Sequence, residues 1–241
     1  MRRRILVTGA SRGLGRAIAV RFGASGDSVA VGYQSDRAAA EETAESVRSA
    51  GGEAVVLQAD LARPDEARRL VAEAASAWGG LDVLVNNAGT VRDKRLVNLE
   101  GADWDAVLAV NLSGAFWCLQ AAARIMVEKG GGAIVNIASR VGLRGNIGGG
   151  NYAASKGGLI AVTKTAAAEL GPMGVRVNVI LPGFHLTRMA SHLAPEKVER
   201  YTRESWLGRR GDERDVAEMV ELVSRLESVT GQVLAVDSRL L

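Results

Sequence analysis

A tyrosine and a lysine four positions apart, Tyr152 and Lys156, form the pair in this chain best suited to moving a proton. Residues i and i+4 share one face of a helix. An ammonium held near a phenol stabilises the phenolate, which lowers the tyrosine's pKa toward working pH and lets it exchange a proton with a substrate oxygen. Ser139 lies thirteen residues upstream, at the end of an apolar run that reads as a strand, and can donate a second hydrogen bond to the same oxygen as an oxyanion-hole donor does. Y-x-x-x-K alone is common by chance, with a helix-surface tyrosine and a solvated lysine. Its place after a strand serine, in a chain with a glycine loop, is not.

That loop, Thr8-Gly9-Ala10-Ser11-Arg12-Gly13-Leu14-Gly15, follows the first apolar run directly and opens a helical pattern. Glycines there permit a tight turn and let backbone approach a pyrophosphate, which then rests on amide groups and the positive end of the helix. After the second strand, where an NAD-specific dehydrogenase places a carboxylate on the adenosine ribose, the chain has Tyr33-Gln34-Ser35. A 2′-phosphate is not repelled there, and Arg12, with Arg37 as a possible second donor, offers it a guanidinium. The reading is NADP(H); in the alternative, Arg12 lies on the surface and Asp36 swings in to select NAD. Asn86-Asn87-Ala88-Gly89 leaves room for the cofactor while its amides pin neighbouring strands, and Asp60 reaches the adenine, although each motif alone can be turn chemistry.

These groups need a scaffold that brings them to one edge. Short β-rich runs (5–7, 28–31, 54–57, 81–85, 133–137, 175–181, 232–236) alternate with amphipathic stretches near 14–25, 36–50, 64–78, 103–128, 151–170 and 212–227. Strict alternation predicts an α/β fold: one Rossmann-type doubly wound domain over 1–241, with a seven-stranded parallel sheet covered by helices on both faces. Ligands in such sheets bind beyond the carboxyl ends of the strands, where strand order reverses. Phe184 to Arg210 breaks the alternation and is a candidate substrate lid.

With 241 residues, 29 glycines and 4 prolines, the chain fits a single domain. Its 30 Lys and Arg against 27 Asp and Glu leave +3, which makes no case for nucleic acid or membrane binding. Cys118, the sole cysteine, excludes an internal disulfide and a cysteine-rich zinc site, and reads as a core residue. No apolar run reaches transmembrane length, so the location expected is cytoplasmic. Arg2-Arg3-Arg4 reads as a solvated flank, His185 and His192 as surface residues with no metal site, and Trp78 and Trp104 as packing residues.

Taken together, the motifs resemble the short-chain dehydrogenase/reductase family across residues 4–236. Thr8-Gly9-x-x-x-Gly13-x-Gly15, Asp60, Asn86-Asn87-Ala88-Gly89, Asn111, Ser139, Tyr152-x-x-x-Lys156 and Pro182-Gly183 with Thr187 fall in the family's order. The resemblance implies that Tyr152 is the acid/base, Ser139 orients the carbonyl and Lys156 binds the nicotinamide ribose while lowering the tyrosine pKa. Asn111 would hold a relay water, and Thr187 would contact the nicotinamide amide. The expected cofactor contacts are Gly9, Ser11, Arg12, Gly13, Leu14, Gly15, Gln34, Asp60, Leu61, Asn87, Ala88, Gly89, Tyr152, Lys156, Pro182, Gly183 and Thr187.

Within the family, Asn87-Ala88-Gly89-x-x-Arg92-Asp93, Trp104-Asp105 and Asn151-Tyr152-Ala153-Ala154-Ser155-Lys156 look most like 3-oxoacyl-[acyl-carrier-protein] reductases. The chain departs from them at Gly148-Gly149-Gly150, at Arg95 and Arg140, and at Asp237-Ser238-Arg239, where Asp-Gly-Gly is usual. The implied reaction is NADPH-dependent reduction of a ketone, most like a 3-oxoacyl thioester, with an acyl carrier protein as a possible partner and a homotetramer or homodimer as the assembly. The alternatives are the reverse chemistry on a polyol, sugar or cyclic alcohol and, from another class, a non-catalytic NADPH sensor, which would have no need of the tyrosine and lysine.

Overall fold

The computed structural model describes residues 2–185 and 195–239, so Thr187, Arg188 and His192 lie outside the described residues. Seven strands, β1 (Arg4–Val7), β2 (Ser28–Tyr33), β3 (Glu53–Gln58), β4 (Val83–Asn86), β5 (Gly132–Ile137), β6 (Val175–Pro182) and β7 (Val233–Val236), form one sheet in the order β3-β2-β1-β4-β5-β6-β7. Every pairing is parallel. Strand order reverses between β1 and β4, and the loops that follow those two strands open onto one edge.

Alternation along each strand divides the core in two, because successive side chains point to opposite faces. Ile5, Val7, Val29, Val31, Val83 and Val85 pack on one face against Phe22 of α1 (Gly13–Ala24), Val47 of α2 (Arg37–Ser49) and Val220 of α9 (Glu213–Arg225). Leu6, Ala30, Leu84 and Ile134 turn to the other face, against Leu70 of α3 (Pro64–Trp78), Met126 of α5 (Ala115–Glu128) and Ala166 of α7 (Gly150–Leu170). All six residues of β2 are buried, as a strand covered on both faces requires. Each large apolar side chain taken from water here contributes about 1.5–3 kcal/mol.

The expected helix over 103–128 differs in one respect. It begins with α4 (Gly101–Leu108), passes through a π turn at Ala109–Gly114 and continues as α5. The whole span is long and apolar enough to cross a membrane by length and composition, yet it packs on α3 and α7, with 44% of its most apolar window buried inside the fold. Trp104 on α4 is 37% exposed and is not the packing residue expected. Within the predicted lid, α6 (Val141–Arg144) having closed the loop after β5, residues Pro195–Arg203 form α8.

Of the N-terminal arginines Arg2 is exposed, whereas Arg3 and Arg4 are not the solvated flank expected. Arg3 donates from Nη2 to Asp27 Oδ2 at 2.6 Å and to Glu221 Oε1 at 3.2 Å, Arg4 donates from Nε to Asp82 Oδ2 at 2.7 Å, and Arg2 pairs with Glu53. They clamp the amino ends of β1 and β2 to the start of β4 and to α9, at the sheet edge opposite the glycine loop.

Candidate active site

Ser139 stands just past the carboxyl end of β5, where its Oγ accepts a hydrogen bond from the Val141 backbone N–H at 3.2 Å. Tyr152 lies in the first turn of α7, and its hydroxyl is hydrogen-bonded by Ser139. The turn is anchored from behind by Asn151, buried at 0% exposure, which donates to the carbonyls of Arg92 at 3.0 Å and Asp103 at 3.1 Å and accepts from the Tyr152 N–H at 2.8 Å. One turn on, Lys156 donates from Nζ to the Ile137 carbonyl at 2.8 Å, with Nζ 5.7 Å from the centre of the tyrosine ring.

Burial decides the electrostatics of this pair, and it overturns the expected lowering of the tyrosine pKa. Burial pushes Tyr152 up to about 12, against the Ser139 hydrogen bond that lowers it, and Asp93 adds to the rise. The same burial pushes Lys156 down to about 8. Ser139 is the group that lowers the phenol, while the lysine's Nζ donates to the Ile137 carbonyl. At neutral pH the phenol is therefore a firmly protonated donor.

Asn111 does not line the cleft. It is wholly buried in the π turn, where its side chain donates to Thr90 O at 2.9 Å and Ser155 Oγ at 3.2 Å and accepts from Thr90 N–H at 2.7 Å. Asn87 donates to the carbonyls of Thr8 and Gly9, each at 3.0 Å, while Asn86 bridges to Asn136 at 2.9 Å. The asparagine amides thus pin β1, β4 and β5 together as the sequence implies.

A cleft of about 1490 Å³ runs along this edge and is lined by Ser139, Tyr152, Lys156 and every expected cofactor contact among the described residues, from Gly9 to Gly183. Its walls suit an extended dinucleotide. Gly9 has φ +62°, and a Cβ there would stand 2.8 Å from Ala88 Cα; a Cβ on Gly15 would stand 2.3 Å from Gly9 O. Only glycines allow these backbones to close into a cradle ahead of the α1 N-terminus. At the far end Arg12 pairs with Asp36, whose carboxylate also caps α2 by accepting the Ala39 N–H at 3.0 Å. Asp60 accepts from Gln34 Nε2 and from the Ala62 N–H, both at 3.1 Å.

A family model described as short chain dehydrogenase matches residues 3–198 of this chain. The chain belongs to that family. This short-chain dehydrogenase is 40% identical over 239 residues to a 3-oxoacyl-[acyl-carrier-protein] reductase of Staphylococcus aureus strain Mu50, across 98% of this chain and 97% of that one. It is 39% identical to a 3-oxoacyl-[acyl-carrier-protein] reductase of Synechocystis, across 96% and 94%. A solved structure from Sinorhizobium meliloti 1021, described as a short-chain alcohol dehydrogenase, matches with a TM-score of 0.94 at 36% identity, covering 98% of this chain and 95% of that one. The protein is accordingly an oxidoreductase acting on CH–OH/C=O with a nicotinamide cofactor.

The other half of the dehydrogenase's cleft holds residues that sequence reasoning missed or misread. Phe184, Tyr201, Glu204, Trp206 and Arg239 line it alongside Arg140 and Arg144, whereas Arg95 is exposed outside it. His185 is no surface residue: it is 9% exposed, packed against Gly211, and burial lowers its pKa. The available signals were the predicted lid over 184–210, which contains Phe184, His185, Tyr201, Glu204 and Trp206, and the departure at Asp237-Ser238-Arg239. Cys118 is a core residue as expected, with burial pushing its thiol up to about 12.

Proposed function

We propose that this dehydrogenase catalyses NADPH-dependent reduction of a 3-oxoacyl thioester to the 3-hydroxyacyl form. The carrying observation is a half-buried, protonated phenol beside Ser139 in a cleft continuous with the glycine cradle. The bound nicotinamide dinucleotide supplies the hydride. Ser139 and Tyr152 donate hydrogen bonds to the ketone oxygen, concentrating donors where negative charge develops. An alkoxide is a stronger base than the Tyr152 phenolate even with the phenol raised to about 12, so the proton passes from tyrosine to product oxygen. Lys156 and Asn111 hold the helix start and the loop after β4 that position this pair, and in this reading Lys156 also binds the nicotinamide ribose.

The names of the relatives support the thioester reading, with an acyl carrier protein as the partner that delivers it. A homotetramer or homodimer joined through the α4–α5 and α7 helices, and a cytoplasmic location, belong to the same reading. A panel of 3-oxoacyl thioesters, cyclic ketones and sugars, followed by NADPH oxidation, tests it. Turnover of sugars or cyclic alcohols alone would replace it.

Cofactor choice rests on Arg12, which must exchange Asp36 for the 2′-phosphate. Losing one charge-assisted hydrogen bond of about 1.5–3 kcal/mol should make Arg12→Ala bind NADPH about 10- to 100-fold more weakly while leaving NADH nearly unchanged. Fluorescence titration with both cofactors measures this. Wild-type protein that binds NADH as tightly as NADPH would overturn the assignment.

A further inference from the structure

We propose that the substrate half of the cleft recognises a carboxylate carried by the ketone itself, held by Arg239 with His185 beside it. This rests on the ketone-reductase reading above and narrows its substrate class. Arg239 lines the cleft although its side chain is only 8% exposed. Asp237, 4% exposed, takes the guanidinium side-on, accepting from Nε at 2.9 and 3.1 Å and from Nη2 at 2.7 Å. A side-on pair engages two of the five guanidinium N–H groups. The Nη1 edge has no hydrogen-bond partner among the described residues and is left for a ligand.

The guanidinium is also fixed before any ligand arrives. It lies 5.9 Å from the Phe184 ring centre and 5.8 Å from that of Tyr201, two rings that meet edge to face at 5.0 Å. Its backbone is tied down one residue earlier, where Ser238 O accepts the Trp206 N–H at 2.9 Å and Ser238 Oγ meets Ser205 Oγ at 2.6 Å. A pre-set planar fork binds a carboxylate without the ordering cost a mobile side chain incurs.

His185 gives the second, independent sign of a ligand. The ring is nine-tenths buried and lines the same cleft, and the one backbone hydrogen bond that Gly211 offers it leaves a ring nitrogen without a partner among the described residues. Buried polar groups are paired in nearly all folded proteins, so an unpartnered ring nitrogen in a binding cleft points to a group that arrives with the substrate. A neutral imidazole can donate to a carboxylate oxygen from one nitrogen. A long alkyl chain laid over Arg239 and His185 would satisfy neither, and the phosphate of a carrier arm, attached to a protein that stays outside, belongs at the mouth rather than on so buried a guanidinium.

The test uses the full chain with NADPH and two matched 3-oxoacyl thioesters, one chain ending in a carboxylate and the other in its methyl ester. Each is offered on a short thiol and on a phosphopantetheine arm. Wild-type kcat/KM should favour the carboxylate at least about tenfold on either thiol, and Arg239→Met should bring the ratio to near one, with Arg239→Lys between. Calorimetry of the two 3-hydroxy products reports binding directly and needs no turnover. Equal kcat/KM and equal binding of the pair by wild-type protein would overturn the proposal, as would a preference that survives Arg239→Met or one that follows the phosphopantetheine arm instead of the chain end. Tight, Arg239-dependent binding of the carboxylate product without turnover of either ketone would uphold the anion site and overturn the ketone-reductase reading.

Discussion

Tyr152→Phe should lower kcat by at least about 10²- to 10⁴-fold while NADPH binds with unchanged affinity. The substitution removes one oxygen and keeps the ring, so the packing of the first turn of α7 is preserved. What it deletes is the proton that goes to the product oxygen and the partner of the Ser139 hydroxyl. Single-turnover kinetics with cofactor titration on the same sample separate the two effects. Near-normal turnover with intact cofactor affinity would remove Tyr152 from the chemistry and the proposed mechanism with it.

Lys156→Met should stabilise the cofactor-free protein at pH 7 while disabling the enzyme. The ammonium is 4% exposed, and burial pulls its pKa from 10.5 to about 8. A lysine whose folded pKa lies below its unfolded value is a burden at every pH below the folded value, where both states carry the charge and only the folded state must bury it. The burden lightens as pH climbs from about 8 to 10.5. That shift corresponds to roughly 3 kcal/mol. Methionine fills a similar volume without a charge but leaves the Ile137 carbonyl without its partner, so a net gain of about 1–3 kcal/mol is expected, or several degrees in Tm. The advantage of the variant should shrink when the melts are repeated near pH 10. A variant less stable than wild type at pH 7 would show that the hydrogen bond to Ile137 outweighs the cost of burying the charge.

Much of this architecture is legible in the chain because it depends on local rules. Apolar runs such as 5–7, followed by a glycine loop and a helix start, leave few alternatives to a parallel strand, and the strand ends then bring Gly9, Asn87, Ser139 and Gly183 to one edge. Three features depend on what packs around a residue and could not be read this way. His185 looks like a surface histidine until the segment around Gly211 folds over it. The Tyr152 pKa follows from a balance of burial against hydrogen bonding that residue spacing does not contain. Arg239 reaches the cleft because β7 ends beside β6, a pairing between strands some fifty residues apart. Even the π turn follows from tertiary need, since it carries the buried Asn111 between Thr90 and Ser155.

The arginine clamps at the amino ends of the strands have a bearing on how such an enzyme can change. Arg3 ties Asp27, Glu221 and Ser224 together, and Arg176 donates to the carbonyls of Val223 and Ser224, far along the strands from any group that would touch a substrate. The ties between strand ends and the groups that would choose a substrate therefore lie at opposite edges of one sheet. A lineage can exchange residues around Arg239 and His185 to accept a new ketone while the opposite edge keeps the fold intact, and it can adapt to a warmer habitat by reinforcing that edge without disturbing its chemistry.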